Sequence, residues 1–225
     1  MRYQDANVKL QLITAPTIEP VTLDEAKFYL NIDIDLDDTL ITSLIKAARL
    51  RCETITQRSF ITTTWLQSFD FFQADHRHHR SGYSYGINFG YGNYYNWNWH
   101  NGDRLEVFRP RLQSVDYLKY YDSSDSIRTL DSSLYTVSTG TPGFVVANPN
   151  TTFPNIICKP GAVLLQYKAG YGDTADTVPE DIKLAIKILT FHYYQNRMPV
   201  SEVSLSEVPM SVESLLANHQ WGAGI

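Results

Sequence analysis

Four of the six histidines, His76, His78, His79 and His100, lie at the two ends of one stretch, Gln73 to Gly102. Neutral imidazole is a common metal ligand, so a hairpin that joined those ends would bring three imidazoles to one ion. No cysteine or reliably placed carboxylate joins them, and solvated or stacking histidines explain the same spacing, so no metal site is expected. Asp33, Asp35, Asp37 and Asp38 resemble the opening of a calcium loop, but that loop requires Gly at its sixth position and a bidentate Glu at its twelfth. Asp38 and Leu44 stand there instead, which makes the acids a linker and a helix cap. The two cysteines, Cys52 and Cys158, have no zinc-type spacing and read as reduced thiols. There is no phosphate loop of the GxxxxGK type, no GxSxG elbow and no HExxH helix, and His192, beside Tyr193 and Tyr194, reads as a helix-packing residue rather than a base. No catalytic residue and no cofactor are expected.

The same stretch carries the most unusual composition in the chain. Tyr83, Tyr85, Phe89, Tyr91, Tyr94, Tyr95, Trp97 and Trp99 are interleaved with Gly82, Gly86, Gly90 and Gly92, and five asparagines fall between Asn88 and Asn101. Aromatic rings supply contact area at low entropic cost while Gly and Asn let the backbone turn, the mixture from which paratopes are built. A partner-contacting loop is the functional expectation, and a loop covering its own domain is the plainer one. Stacked bases would need more cations than Arg77 and Arg80; sugar binding by the same rings is an alternative.

The elements that would position these residues follow from period and punctuation. Val8, Leu10 and Leu12 alternate until Pro16 and Pro20 interrupt, which reads as an extended arm. Thr22 to Glu25 has the form of a capping box and opens a short helix to about Leu30. From Asp37 a long helix runs with Leu40, Ile41, Leu44, Ile45, Ala48, Cys52 and Ile55 on one stripe and Lys46, Arg49, Arg51 and Arg58 assigned to its polar face. Between Ser59 and Gly172 the period becomes strand-like, with candidates at Phe60 to Phe72, Leu105 to Phe108, Ser114 to Tyr121, Leu134 to Ser138, Gly143 to Ala147 and Ala162 to Ala169. Spacing of that kind suggests a small sandwich or barrel. Helical period returns after Pro179 through Ile182, Ala185, Ile186, Leu189 and Tyr193, and a last short helix surrounds Val212, Leu215 and Leu216.

The expected fold class is therefore α+β. Helices from both ends of the chain (1–58 plus 176–217) pack as a bundle, an antiparallel β domain (59–175, with the aromatic extension at 73–102) is inserted between them, and 218–225 is an extended tail. With 43% hydrophobic and 19% charged residues and no long apolar run, the chain reads as soluble and unprocessed. A formal charge of −5 argues against tight binding to phosphates, which needs clustered Lys and Arg.

In combination these segments resemble the head-to-tail connector family of tailed phages. Ile13 to Pro16, Pro20 to Lys27, Leu30 and Asp37 to Ala48 are similar to the family's opening arm and two helices. Arg109 to Val115 and Tyr120 to Asp122 are similar to its β core. Tyr167 to Gly172, Val178 to Lys183 and His192 to Arg197 resemble its closing strand and third helix. The resemblance implies a non-catalytic adaptor in the virion neck, made in the host cytoplasm. It implies a homo-oligomeric ring, taken as a dodecamer, between the portal protein and a downstream tail or nozzle protein, with DNA passing through the lumen without tight binding and no membrane contact. It makes His219, Gln220, Trp221 and Ile225 candidate portal anchors by position. A host-recognition or carbohydrate-binding tail module is the alternative that the aromatic stretch suggests.

Overall fold

The computed structural model describes residues 8–70, 72, 104–149, 151–196 and 209–221. Its helices form where the sequence supplies both an apolar stripe and an end signal. The first helix, α1 (Leu23–Leu30), opens on the capping box: the Glu25 amide donates to Thr22 Oγ1 at 3.2 Å and the Thr22 amide donates to Glu25 Oε2 at 2.8 Å. Asn31, in the left-handed region at φ 57°, closes it. Then α2 (Asp38–Thr56) turns Ile41, Ile45, Ala48 and Cys52 inward. Two C-terminal helices, α3 (Glu180–Gln195) and α4 (Met210–Leu216), add Ile182, Ile186, Leu189, Val212 and Leu216 to the same apolar cluster. Helices from the two ends of the chain thus bury their stripes in one another, since none has a second layer of its own.

Between them lie antiparallel strands. One sheet has five strands in the order β1 (Val8–Thr14), β2 (Thr63–Phe69), β8 (Val163–Ala169), β4 (Leu112–Tyr121), β5 (Ile127–Thr129). The other has three: β3 (Arg104–Glu106), β7 (Phe144–Ala147), β6 (Tyr135–Ser138). Alternation decides which face is covered: Val163, Leu165, Tyr167 and Ala169 of β8 point inward and meet Leu105, Val107 and Val145 in a second apolar cluster. The described part of the N-terminal arm is strand β1, an edge strand paired with β2 from Val8↔Phe69 onward. Val8 and Leu10 pack on the sheet's core, which recruits the arm. Strand β5, which the turn residues Asp122 to Asp125 introduce, was not among the strands expected from alternation.

The two layers meet at the ends of β2 and β8. The Thr62 amide donates to the Gly172 carbonyl and the Tyr171 amide to the Phe60 carbonyl. Gly170, at φ +148°, makes this approach possible, because a Cβ there would stand 2.7 Å from the Ile61 carbonyl carbon.

Burial corrects one expectation about α2. Arg49, read as part of the polar face, is 4% exposed. It lies four residues after Ile45 and four before Glu53, on the inward side, and ion pairs make that position tolerable. Its Nε lies 2.6 Å from Glu19 Oε2 and its Nη1 2.8 Å from Glu53 Oε2. The second oxygen of Glu53 accepts the Phe60 amide at 3.0 Å, so the chain before α1, the middle of α2 and the entry to β2 are tied through two side chains.

Cys52 is fully buried and burial pushes its thiol up to about 12, whereas Cys158 is exposed. A thiol held protonated does not attack disulfide reagents. Ellman titration of the folded protein is therefore expected to count one thiol, and titration in denaturant two; two fast thiols in the folded state would contradict this packing.

Candidate functional site

The candidate anchors at the C-terminus start from α4, which continues into a 3-10 turn over Ala217–His219. The described beginning of the segment expected to be an extended tail is therefore a turn, and it is tied down. His219 is the centre of that attachment. Its Nε2 lies 2.6 Å from Asp181 Oδ2 at the start of α3, and its Nδ1 3.2 Å from the Tyr171 hydroxyl just past β8. In the neutral ring, Nε2–H donates to the carboxylate and Nδ1 accepts the phenol proton. The His219 carbonyl accepts Arg58 Nε at 2.5 Å, and Arg58 Nη1 reaches Thr141 Oγ1 at 3.1 Å in the loop between β6 and β7. Finally the Trp221 amide donates to the Thr56 carbonyl at the end of α2, 2.8 Å away.

His219 is thus committed to contacts inside its own chain. Gln220 and Trp221 are half-buried beside it, and Ile225 lies outside the described residues. Of its partners, Tyr171 and Asp181 lie in segments that resemble the connector family and Arg58 was assigned to the polar face of the long helix, but nothing local paired any of them with His219. The eight aromatic candidates, Tyr83, Tyr85, Phe89, Tyr91, Tyr94, Tyr95, Trp97 and Trp99, and the histidines at 76, 78, 79 and 100, also lie outside the described residues. His192 lies half-buried on α3 beside Asn196 and Tyr193.

Burial works to raise the Asp181 carboxyl, but the hydrogen bond and charge of His219, with the Ile182 amide, outweigh it and hold the group below its ordinary value. A carboxyl lowered on folding contributes stability that is complete above its unfolded value, about 3.9, and is lost as the pH falls through the lower folded value. The protection factor of the Trp221 amide in hydrogen exchange is accordingly expected to hold from pH 7 to about 4 and to drop below it. Asp181→Asn should lower that protection roughly tenfold already at pH 7 and flatten the acid step, the scale of one hydrogen bond at a partly exposed site. An unchanged Trp221 amide in the variant would refute the attachment.

A second feature was missed in the sequence. Phe28 is 91% exposed and Leu36 87%, with Ile34 and Tyr29 beside them in the chain and Phe191 of α3 edge-on to Tyr29 at 6.4 Å. Leu23, Ala26 and Leu30 make the inward stripe of α1, so Phe28 falls off it by geometry; that spacing was the available signal. Large apolar side chains this exposed are a candidate contact surface.

No group of three or more His, Cys, Asp or Glu side chains able to hold a metal occurs among the described residues, and no described helix is long and apolar enough to cross a membrane.

Comparison with known proteins agrees with this layout. Residues 20–84 match the family model described as phage gp6-like head-tail connector protein. The fold is similar to a chain from the neck of an empty GTA particle computed with C6 symmetry, at TM-score 0.70 and 15% identity, covering 96% of this chain and 97% of that one. It is similar to a chain from the virion of a native gene transfer agent particle (TM-score 0.67, 17% identity, the same coverage). It is similar too to one from the neck of a native GTA particle computed with C12 symmetry (0.65, 16%, the same coverage). No curated protein matches the chain.

Proposed function

With residues 20–84 assigned to the phage gp6-like head-tail connector family, we propose that the chain is a structural adaptor of the virion neck, one subunit of a ring that joins head to tail. The observation that carries this reading is the fold likeness to particle-neck chains, which extends over 96% of the chain and so includes the β layer beyond the family segment. Function then lies in surfaces. The helices of the two chain ends form the body of the connector, the β layer is inserted into it, and the subunit performs no catalysis. The ring is a dodecamer beneath the portal protein, and it presents a new face to the next tail or nozzle protein. The formal charge of −5 suits a passage through which DNA slides without adhering. The carbohydrate-binding alternative is supported only by the composition of the aromatic stretch.

The test is reconstitution. The full chain mixed with the portal ring of the same particle should elute as one complex, and end-on images should show an added ring coaxial with the portal. Separate elution under all ionic conditions would end the adaptor reading.

A further inference from the structure

Two surfaces of this subunit are opposite in charge and alike in having an apolar centre. The first carries the exposed side chains of Phe28 and Leu36, whose chain neighbours Lys27 and Asp35 are joined by an ion pair. Between residues 24 and 38 the chain carries six acids, Asp24, Glu25, Asp33, Asp35, Asp37 and Asp38, and a single base, Lys27. That lysine is engaged with Asp35 at 2.6 Å and Asp38 at 2.8 Å, so the group as a whole stays strongly negative.

The second is the outer face of the five-stranded sheet. Strand register sets its rows: Lys9, Ser68, Leu164 and Lys119 in one, Gln11, Leu66, Gln166 and Tyr117 in the next, Thr14, Thr64, Lys168 and Ser114 in the third. Leu66, Leu164 and Tyr117 form a half-buried apolar centre, and Lys9, Lys119 and Lys168 stand around it. The Lys119 ammonium sits 4.2 Å above the Tyr117 ring, and Asp116 accepts from Gln166 at 2.9 Å. All the helices share the other apolar cluster, and no described helix lies across this face.

We infer that copies of this chain meet head to tail, the acidic apolar group around Phe28 and Leu36 of one copy seating on the lysine-rimmed sheet face of the next; this deepens the ring reading above and rests on it. Pairing the acidic group with its own copy would bring like charges together, whereas pairing it with the sheet face neutralises both. Because the two surfaces are unlike and belong to different layers of the subunit, the contact is heterologous and propagates around an axis. Weak single contacts suffice, since a closed ring makes them act together. Screening by salt should loosen the ring, as it does any contact steered by opposite charges.

The test uses the full chain, alone and with the portal ring, measured by mass photometry and by attachment. Lys119→Glu with Lys168→Glu is expected to reduce ring formation by roughly tenfold or more. Adding Asp24→Lys, Asp33→Lys and Asp35→Lys to that variant takes the acidic group from −5 to +1 against −1 on the altered sheet face, which reverses both signs and should restore assembly. Leu36→Cys with Leu164→Cys, in a Cys158→Ser background, should give disulfide ladders between chains. These positions are exposed or half-buried, and an unchanged melting temperature controls for folding. Wild-type assembly by the lysine variant, no recovery in the reversed variant, or a disulfide formed only within one chain would overturn this contact while leaving the adaptor reading intact. Failure of the wild type itself to join the portal would instead overturn the adaptor reading, and the contact with it.

Discussion

Arg49→Met is expected to lower the stability of the subunit by about 3–5 kcal/mol, or roughly 10 °C in melting temperature for a chain of this size. The methionine fills similar volume, so the loss is electrostatic. Glu53 is 9% exposed, and burial already pushes its carboxyl up against the opposing pull of Arg49, the Phe60 amide and Arg109. Without the guanidinium only the Phe60 amide and Arg109 oppose the burial cost, and Glu19 loses its partner as well. The sign with pH follows. A carboxyl raised on folding is least costly below its unfolded value, where it is protonated in both states, and stability falls as the pH climbs through the folded value. Denaturant unfolding should therefore find the variant closer to wild type at pH 5 than at pH 8. Glu53→Gln added to Arg49→Met removes the unpaired charge while keeping an acceptor for Phe60, and should recover part of the loss. An equal deficit at both pH values would contradict this account.

The second large effect is in the sheet core. Gln67 is fully buried and acts as a short strand segment made of side chain: its Nε2 donates to the Glu106 carbonyl at 3.0 Å, and its Oε1 accepts the Phe108 amide at 2.9 Å. The Tyr167 hydroxyl completes the network by donating to the Phe108 carbonyl at 2.6 Å. Gln67→Leu conserves size and strands one donor and one acceptor out of water, so a loss of about 2–4 kcal/mol is expected. Tyr167→Phe leaves one acceptor bereft and should cost about half as much. The urea midpoint reads both; a Gln67→Leu loss under about 1 kcal/mol would mean that water reaches the segment after the change.

These two sites also mark the boundary of what could be read in advance. The capping box at Thr22 to Glu25, the stripe from Ile41 to Cys52, Pro179 ahead of α3 and the alternation from Val163 to Ala169 are local signals. They act through hydrogen bonds and side-chain directions repeated within one element, so the amino-acid order alone determined most of the elements and their sequence, the short strand β5 excepted. The resemblance to a head-to-tail connector family was carried by local segments of this kind, and the family model matches residues 20–84.

Tertiary structure decided which polar groups are used inside. Arg49 looked like one more surface cation until Glu19 and Glu53 were brought beside it. His219, expected to face a partner, is spent on Asp181 and Tyr171, which stand 38 and 48 residues away in the chain. Phe28, an ordinary apolar residue by type, became a surface feature only once α1 chose the side that carries Ala26 and Leu30. Periodicity fixes the faces of an element, but it takes the neighbouring elements to fix which face is covered, and burial and charge pairing are properties of that arrangement.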